Sequence, residues 1–295
     1  MTGHSRMKNY SNYRCEAYEF TGDIRLQGSS ATVFIGSPID ENIPHEIKPY
    51  ARKYDSPGMV AISSVQIKAA PPEKLPVCTK TLDAPGILFS TGGYTHNYFH
   101  SITDVMVPLF ATSQRFNRDV IFLVINHNDS RFTTEHRKTL ETLSRYELVD
   151  IDKENQTLCF TNLIVGLIAH PSDLTIDPSP FSRLSTRNLT RLLRNTYSLK
   201  RDSVGDHTRP RLLVVSRKIC RRLSNEVQLV ELAQEVGFDS ALQDLGDHLE
   251  SSAKIVNSMD VMVGVHGAGL TNMDVKLDLP SFKDTLLKAL DILAA

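Results

Sequence analysis

A chain of 295 residues with 41% hydrophobic side chains is long enough for one large domain or two of ordinary size, each with a buried core. Its 33 basic and 34 acidic residues leave a net charge of -1, which argues against a surface that coats nucleic acid, because displacing counterions needs a basic excess. No segment approaches the roughly 20 apolar residues that span a bilayer, and the opening Met-Thr-Gly-His-Ser-Arg lacks the apolar stretch of a secretory signal.

Residues 1 to 85 read as a partly ordered leading segment. They hold mixed polar residues and one β-like run from Ala31 to Ile35, and then Pro71, Pro72, Pro76 and Pro85 punctuate a loop-rich stretch. From Gly86 onward, short apolar runs alternate with helix-like stretches. Ile87 to Ser90 predicts a strand, Asn97 to Phe116 a helix, Val120 to Ile125 a strand, Thr133 to Arg145 a helix and Leu163 to Ile168 a strand. Such alternation argues for parallel α/β architecture. Asp177-Pro178-Ser179-Pro180 interrupts it, a basic helix follows from about Ser182 to Leu199, and the polar link Arg201 to Pro210 marks a domain boundary. Beyond it come a strand at Arg211 to Val215, a helix at Asn225 to Val236, a short strand or turn at Phe238, a helix around Leu249 to Met259 and a strand at Val261 to Val265. This is half of a Rossmann-like domain. Ser281 to Leu293 ends as an amphipathic helix with Phe282, Leu286, Leu290 and Leu293 at helical spacing. The expected fold class is α/β, with one Rossmann-like unit over 86–205 and a shortened second over 206–295.

Three blocks carry candidate chemistry. The apolar strand at Val261 breaks into a turn holding His266, Gly267, Gly269, Thr271 and Asn272. Glycines there let backbone N–H groups approach an anion closely, and a phosphate is the natural guest; a plain tight turn is the alternative. The second block runs from Ser90 to Asp104. His100 and Asp104 stand four apart, so on a helix starting near Asn97 they share a face, as an acid/base pair or as a capping and packing pair. Gly92, Gly93 and Asn97 shape the loop before it, and Tyr94 and Tyr98 either stack on a ligand ring or pack. The third block follows the strand at Arg211. Arg217, Lys218, Arg221 and Arg222 either neutralise an anion, with Arg217 and Arg222 foremost, or form a solvated basic loop. Asn225 and Glu226 belong to this block, with Glu226 placed to hold a ligand hydroxyl or simply to begin a helix.

Asp150-Ile151-Asp152 offers two hard carboxylates for a divalent cation, but it stands without a supporting block, and no metal site is expected. Hydrolysis by a serine triad fares worse, since no Gly-x-Ser-x-Gly elbow occurs. The wide spacing of Cys15, Cys78, Cys159 and Cys220 gives no zinc signature, and in an oxidising compartment a disulfide among them leaves several pairings open. Asn9, Asn128, Asn155 and Asn188 each begin an Asn-x-Ser/Thr sequon, which lends mild support to secretion.

In this order the three blocks resemble the plant glycosyltransferase family 61, which includes xylan arabinosyl- and xylosyltransferases of the Golgi. The likeness runs from about Cys15, through Gly22-Asp23-Ile24-Arg25, to Asn272, and resumes at Asp274-Val275-Lys276-Leu277-Asp278-Leu279. The resemblance implies a GT-B arrangement: two Rossmann-like units across a cleft lined by Gly92 to Asp104 and by His266 to Asn272, with the nucleotide on the C-terminal unit and the acceptor on the other. It implies an inverting, metal-independent transfer of arabinose or xylose from a UDP-sugar to a xylan-type polysaccharide, with no cofactor. The family's His-x-x-x-Asp element implies Asp104 as base, with His100 in support. A Golgi-lumenal setting with a membrane anchor, and Golgi transferases as partners, follow from the same likeness. Family members usually carry more residues between the positions of Asn272 and Asp274, and a tail and anchor ahead of the start, so a truncated form with a shortened C-terminal unit is expected. The alternative is a non-catalytic isoform or pseudoenzyme that binds glycan or a partner enzyme.

Overall fold

The computed structural model describes residues 4–39, 42–127, 131–172, 174–176, 184–201, 203, 209–217, 222–245, 249–265 and 277–294. The chain divides into two compact units, Met1–Leu193 and Arg194–Ala295. The division falls inside a helix at Thr186–Thr196, earlier than the polar link suggests.

Unit 1 is built on a ten-stranded sheet: β1 Arg6–Asn9, β2 Tyr18–Gln27, β3 Thr32–Gly36, β4 Glu46–Ile47, β5 Val65–Ala70, β6 Lys80–Thr81, β7 Gly86–Ser90, β8 Ile121–Ile125, β9 Val149–Asp150 and β10 Thr157–Val165. Its main path is β4-β5-β3-β2-β10-β7-β8-β9, with β1 on β2 and β6 on β10. The half from β10 to β9 is parallel, as the alternation predicts. Residues 1 to 85, expected to be partly ordered, instead supply six of the ten strands. The reason lies in long-range pairing: β2 runs antiparallel to β10 over eight paired positions, Tyr18 opposite Val165 and Gln27 opposite Thr157, which no local window reveals.

Alternation along the strands builds two cores. Ile87, Phe89, Phe122 and Val124 face one side, with Leu109 and Phe110; Leu88, Leu123 and Ile125 face the other, with Phe20, Ile24, Val33 and Val65. Helices cover the first face: α1 Ser56–Val60, α2 Tyr98–His100, α3 Val107–Ser113, α4 Arg131–Glu135, α5 Arg137–Leu143 and α6 Thr186–Thr196, with a π-helical segment at Ser101–Met106 between α2 and α3. The helix expected over Thr133 to Arg145 is split at His136, whose backbone lies at φ -99, ψ 8. Cys78 and Cys159 form a disulfide that ties the segment before β6 to β10, Cys15 is a buried free thiol, and Cys220 lies outside the described residues.

Unit 2 contains β11 Arg211–Val215, α7 Glu226–Val236, β12 Asp239–Gln243, α8 Leu249–Asn257, β13 Val261–Val263 and α9 Leu279–Ala294. The strands are parallel in the order β12-β11-β13, an α/β arrangement in keeping with the alternation read from the sequence. Leu212 and Val214 pack with Leu229, Ala233, Phe238 and Leu286. Gly237 ends α7 at φ +116, donating its N–H to the carbonyls of Ala233 and Gln234; a side chain there would be strained. No described helix is long and apolar enough to cross a membrane.

Candidate active site

The carboxyl end of β7 delivers the chain to a loop at Thr91 to Asn97. Gly93 turns it at φ +62, and a Cβ there would lie 2.9 Å from the Tyr50 ring, so glycine is required twice over. Asn97 then caps α2, its Oδ1 accepting from the Phe99 N–H at 3.0 Å. Within the following π-helical segment the Val107 N–H reaches back five residues to the Ile102 carbonyl. Pro108 explains the irregularity, because a proline in a regular helix has no N–H to donate and its ring collides with the carbonyl four residues earlier, that of Asp104.

Asp104 has no exposed surface. Its Oδ1 accepts from Thr103 Oγ1 at 2.9 Å, Arg52 Nη1 at 3.3 Å and Arg14 Nη2 at 3.4 Å. Its Oδ2 takes the Tyr50 hydroxyl at 2.9 Å and His100 Nδ1 at 3.0 Å. Two guanidinium groups thus compensate the buried carboxylate, and five donors occupy its lone pairs. Arg14 is itself buried, giving further hydrogen bonds to the carbonyls of Ala51, His170, Ser172 and Thr103. Burial, reinforced by the negative Asp104, pushes the Tyr50 phenol well above its ordinary range, so it stays a donor.

His100 and Arg52 are the members of this cluster that reach solvent, each side chain 14% exposed. A carboxylate can only accept, so the contact to Asp104 puts the proton on Nδ1 and leaves the Nε2 lone pair outward, with no partner among the described residues. Tyr94 and Phe99 flank the ring at centroid distances of 4.9 and 5.4 Å. The arrangement supplies an oriented imidazole that can take a proton and be stabilised as a cation by the carboxylate behind it.

Other groups nearby are committed to the frame. Asn126, after β8, accepts from Ser90 Oγ at 2.8 Å and donates to Ser63 Oγ at 2.7 Å. Asp150 binds His127 Nδ1 at 3.1 Å, Lys153 Nζ at 3.0 Å and the Asp152 N–H at 3.1 Å. Desolvation pushes the Asp150 carboxyl up, but Lys153 and His127 outweigh it and hold it below the ordinary range. The Asp150-Ile151-Asp152 pair therefore closes the end of the sheet, and among the described residues no group of three or more metal-ligating side chains is found. His136 is buried, its Nε2 3.1 Å from Ser101 Oγ, and burial lowers its pKa to about 4.

In unit 2, Ser216 and Arg217 follow β11 directly, with Arg217 half-buried and Arg222 exposed. Ser216 Oγ donates to Glu226 Oε1 at 3.1 Å, while the buried Glu226 Oε2 has no hydrogen-bond partner among the described residues. Both ends of the Asn225 amide clamp Leu277, donating to its carbonyl at 2.8 Å and accepting its N–H at 3.0 Å. His266, Gly267, Gly269, Thr271 and Asn272, with Lys218 and Arg221, lie outside the described residues.

Sequence reasoning misses Arg14, Tyr50 and Arg52, which come from the segment set aside as a leader. One signal does exist: Asp104 immediately precedes the apolar run Val105-Met106-Val107, and a carboxylate drawn inward there demands cations from elsewhere.

The chain is similar to the alpha-1,3-arabinosyltransferase XAT3 of Oryza sativa subsp. japonica, 38% identical over 282 residues that cover 92% of this chain and 48% of the relative. It is likewise similar to the beta-1,2-xylosyltransferase XYXT1 of the same plant, at 34% identity over 90% of this chain and 62% of the relative. With the xylan glycosyltransferase MUCI21 of Arabidopsis thaliana it shares 31% identity over 89% of this chain and 58% of the relative. The chain thus spans about half the length of the curated relatives it matches. The family model described as Glycosyltransferase 61 matches residues 98–275, more than half of the chain and including both His100 and Asp104. The chain belongs to glycosyltransferase family 61.

Proposed function

We propose that this protein moves a pentose, arabinose or xylose, from a UDP-sugar to a xylan-type polysaccharide with inversion. Unit 1 takes the acceptor and unit 2 the donor, the division of labour of the GT-B architecture. The relatives' names, arabinosyl- and xylosyltransferases and a xylan glycosyltransferase, support the sugar and the acceptor class. The disulfide supports an oxidising compartment such as the Golgi lumen.

His100 is the base and Asp104 its positioning residue, the reverse of the roles implied by the family element. As the acceptor oxygen forms its bond to the anomeric carbon, its proton passes to His100 Nε2. The bond from that carbon to UDP breaks on the opposite face, and its electron pair leaves on the diphosphate. Asp104 stabilises the imidazolium. Arg217, Arg222 and the turn from His266 to Asn272 meet the diphosphate charge in place of a metal ion. Glu226 Oε2 accepts a ribose hydroxyl.

The observation that carries this reading is the Nδ1 contact of His100 to an unexposed, five-fold satisfied carboxylate. Calorimetric titration with UDP, with and without EDTA, followed by transfer from UDP-arabinose and UDP-xylose to xylo-oligosaccharides, tests it. Saturable UDP binding unchanged by EDTA, with product formed, is expected. A folded chain that binds no UDP would overturn the transferase reading and leave a glycan- or partner-binding relative.

A further inference from the structure

A strip of aromatic rings leads away from His100 across unit 1. Tyr94 lies 4.9 Å from the His100 ring, and the Arg52 guanidinium stands 5.8 Å from the Tyr94 centroid and 5.3 Å from that of Tyr54. Tyr54 in turn meets Tyr13 at 5.8 Å. The two outer rings are unusually open, Tyr13 being 61% and Tyr54 48% exposed. The Tyr13 hydroxyl donates to the Pro171 carbonyl at 2.6 Å, and Arg52, which stands over the Tyr54 ring, is anchored by Asp55 at 2.9 Å and Asp104 at 3.3 Å. Those two carboxylates balance the arginine, so the strip offers apolar faces and hydrogen-bonding edges without a net positive field.

We propose that this strip is the acceptor track, holding a neutral glycan whose reacting sugar sits at Tyr94 and whose further sugars lie on Tyr54 and Tyr13. The C–H faces of sugar rings match the electron-rich faces of aromatic rings, and their hydroxyls match the Asp55 and Arg52 edges. Charge balance favours a neutral chain over an acidic one. The inference rests on the transferase reading for its direction, from His100 outward, and predicts that affinity grows with acceptor length.

The test is calorimetric binding of xylobiose, xylohexaose and an oligogalacturonate to the wild-type chain and to the double variant Tyr13→Ala/Tyr54→Ala, with UDP affinity and thermal melting as controls. Xylohexaose is expected to bind the wild type at least about tenfold more tightly than xylobiose. The double variant should lose about tenfold for xylohexaose alone, and Tyr13→Phe/Tyr54→Trp should retain it, with melting and UDP affinity unchanged throughout. Equal binding of the two oligomers, equal binding by the double variant, or tighter binding of oligogalacturonate would overturn the track. If xylohexaose binds as expected but no sugar is transferred, the track stands and the transferase reading falls.

Discussion

Arg14 shows what a single buried charge does in this protein. With Arg52 it compensates Asp104, and its remaining donors satisfy four backbone carbonyls, so no smaller side chain reproduces it. Arg14→Met is expected to destabilise unit 1 by about 3–5 kcal/mol, the cost of breaking a buried pair from one side. His100→Gln, at the solvent-facing edge of the same cluster, should cost about 1 kcal/mol; urea denaturation of both variants checks the contrast. His136 sets a pH dependence. Burial lowers its folded-state pKa from 6.5 to about 4, so the unfolded chain holds the proton more tightly. The neutral ring's contribution is complete above pH 6.5 and is lost as the pH falls from there toward 4, on the order of 3 kcal/mol in all. Thermal melts should show His136→Gln with a shallower loss of stability than wild type in that window; parallel curves would refute the assignment. At this scale the sequence identified the His100–Asp104 pair by its spacing, but not which of the two faces solvent, because that depends on Arg14 and Tyr50, distant in the chain.

Among the elements, β7, β8, β11, β13 and the described helices of unit 2 were legible, since each is a short apolar run or a helical period, and β12 was read only as a short strand or turn at Phe238. β2 was not legible, and only the end of β10, from Leu163, was read, because the two strands pair across more than a hundred residues; nor was the π-helical turn, whose only local mark is Pro108. The disulfide belongs to this scale as well. It fastens β10 to a segment 81 residues earlier, and the loop it closes in the unfolded chain is long enough to stabilise the fold by about 4 kcal/mol on a chain-entropy estimate. Cys78→Ser is expected to lower the melting temperature of unit 1 clearly, and reductant should then have little further effect; a reductant-sensitive melt in the variant would mean that another pairing matters.

For the molecule as a whole, the family likeness carries the proposed function, whereas composition bounds only the size of the chain and argues against a nucleic-acid coat. On the donor side, the unpaired Glu226 Oε2 makes a definite claim: Glu226→Gln should weaken UDP binding about tenfold with little change in melting, and unchanged affinity would remove the ribose contact. The central claim concerns His100. The most direct test is single-turnover transfer from UDP-xylose or UDP-arabinose to xylohexaose by the wild-type chain and by His100→Gln, with UDP affinity measured on both. The rate is expected to fall by about 100- to 10,000-fold in the variant at unchanged UDP affinity. A variant that transfers sugar at the wild-type rate would contradict it.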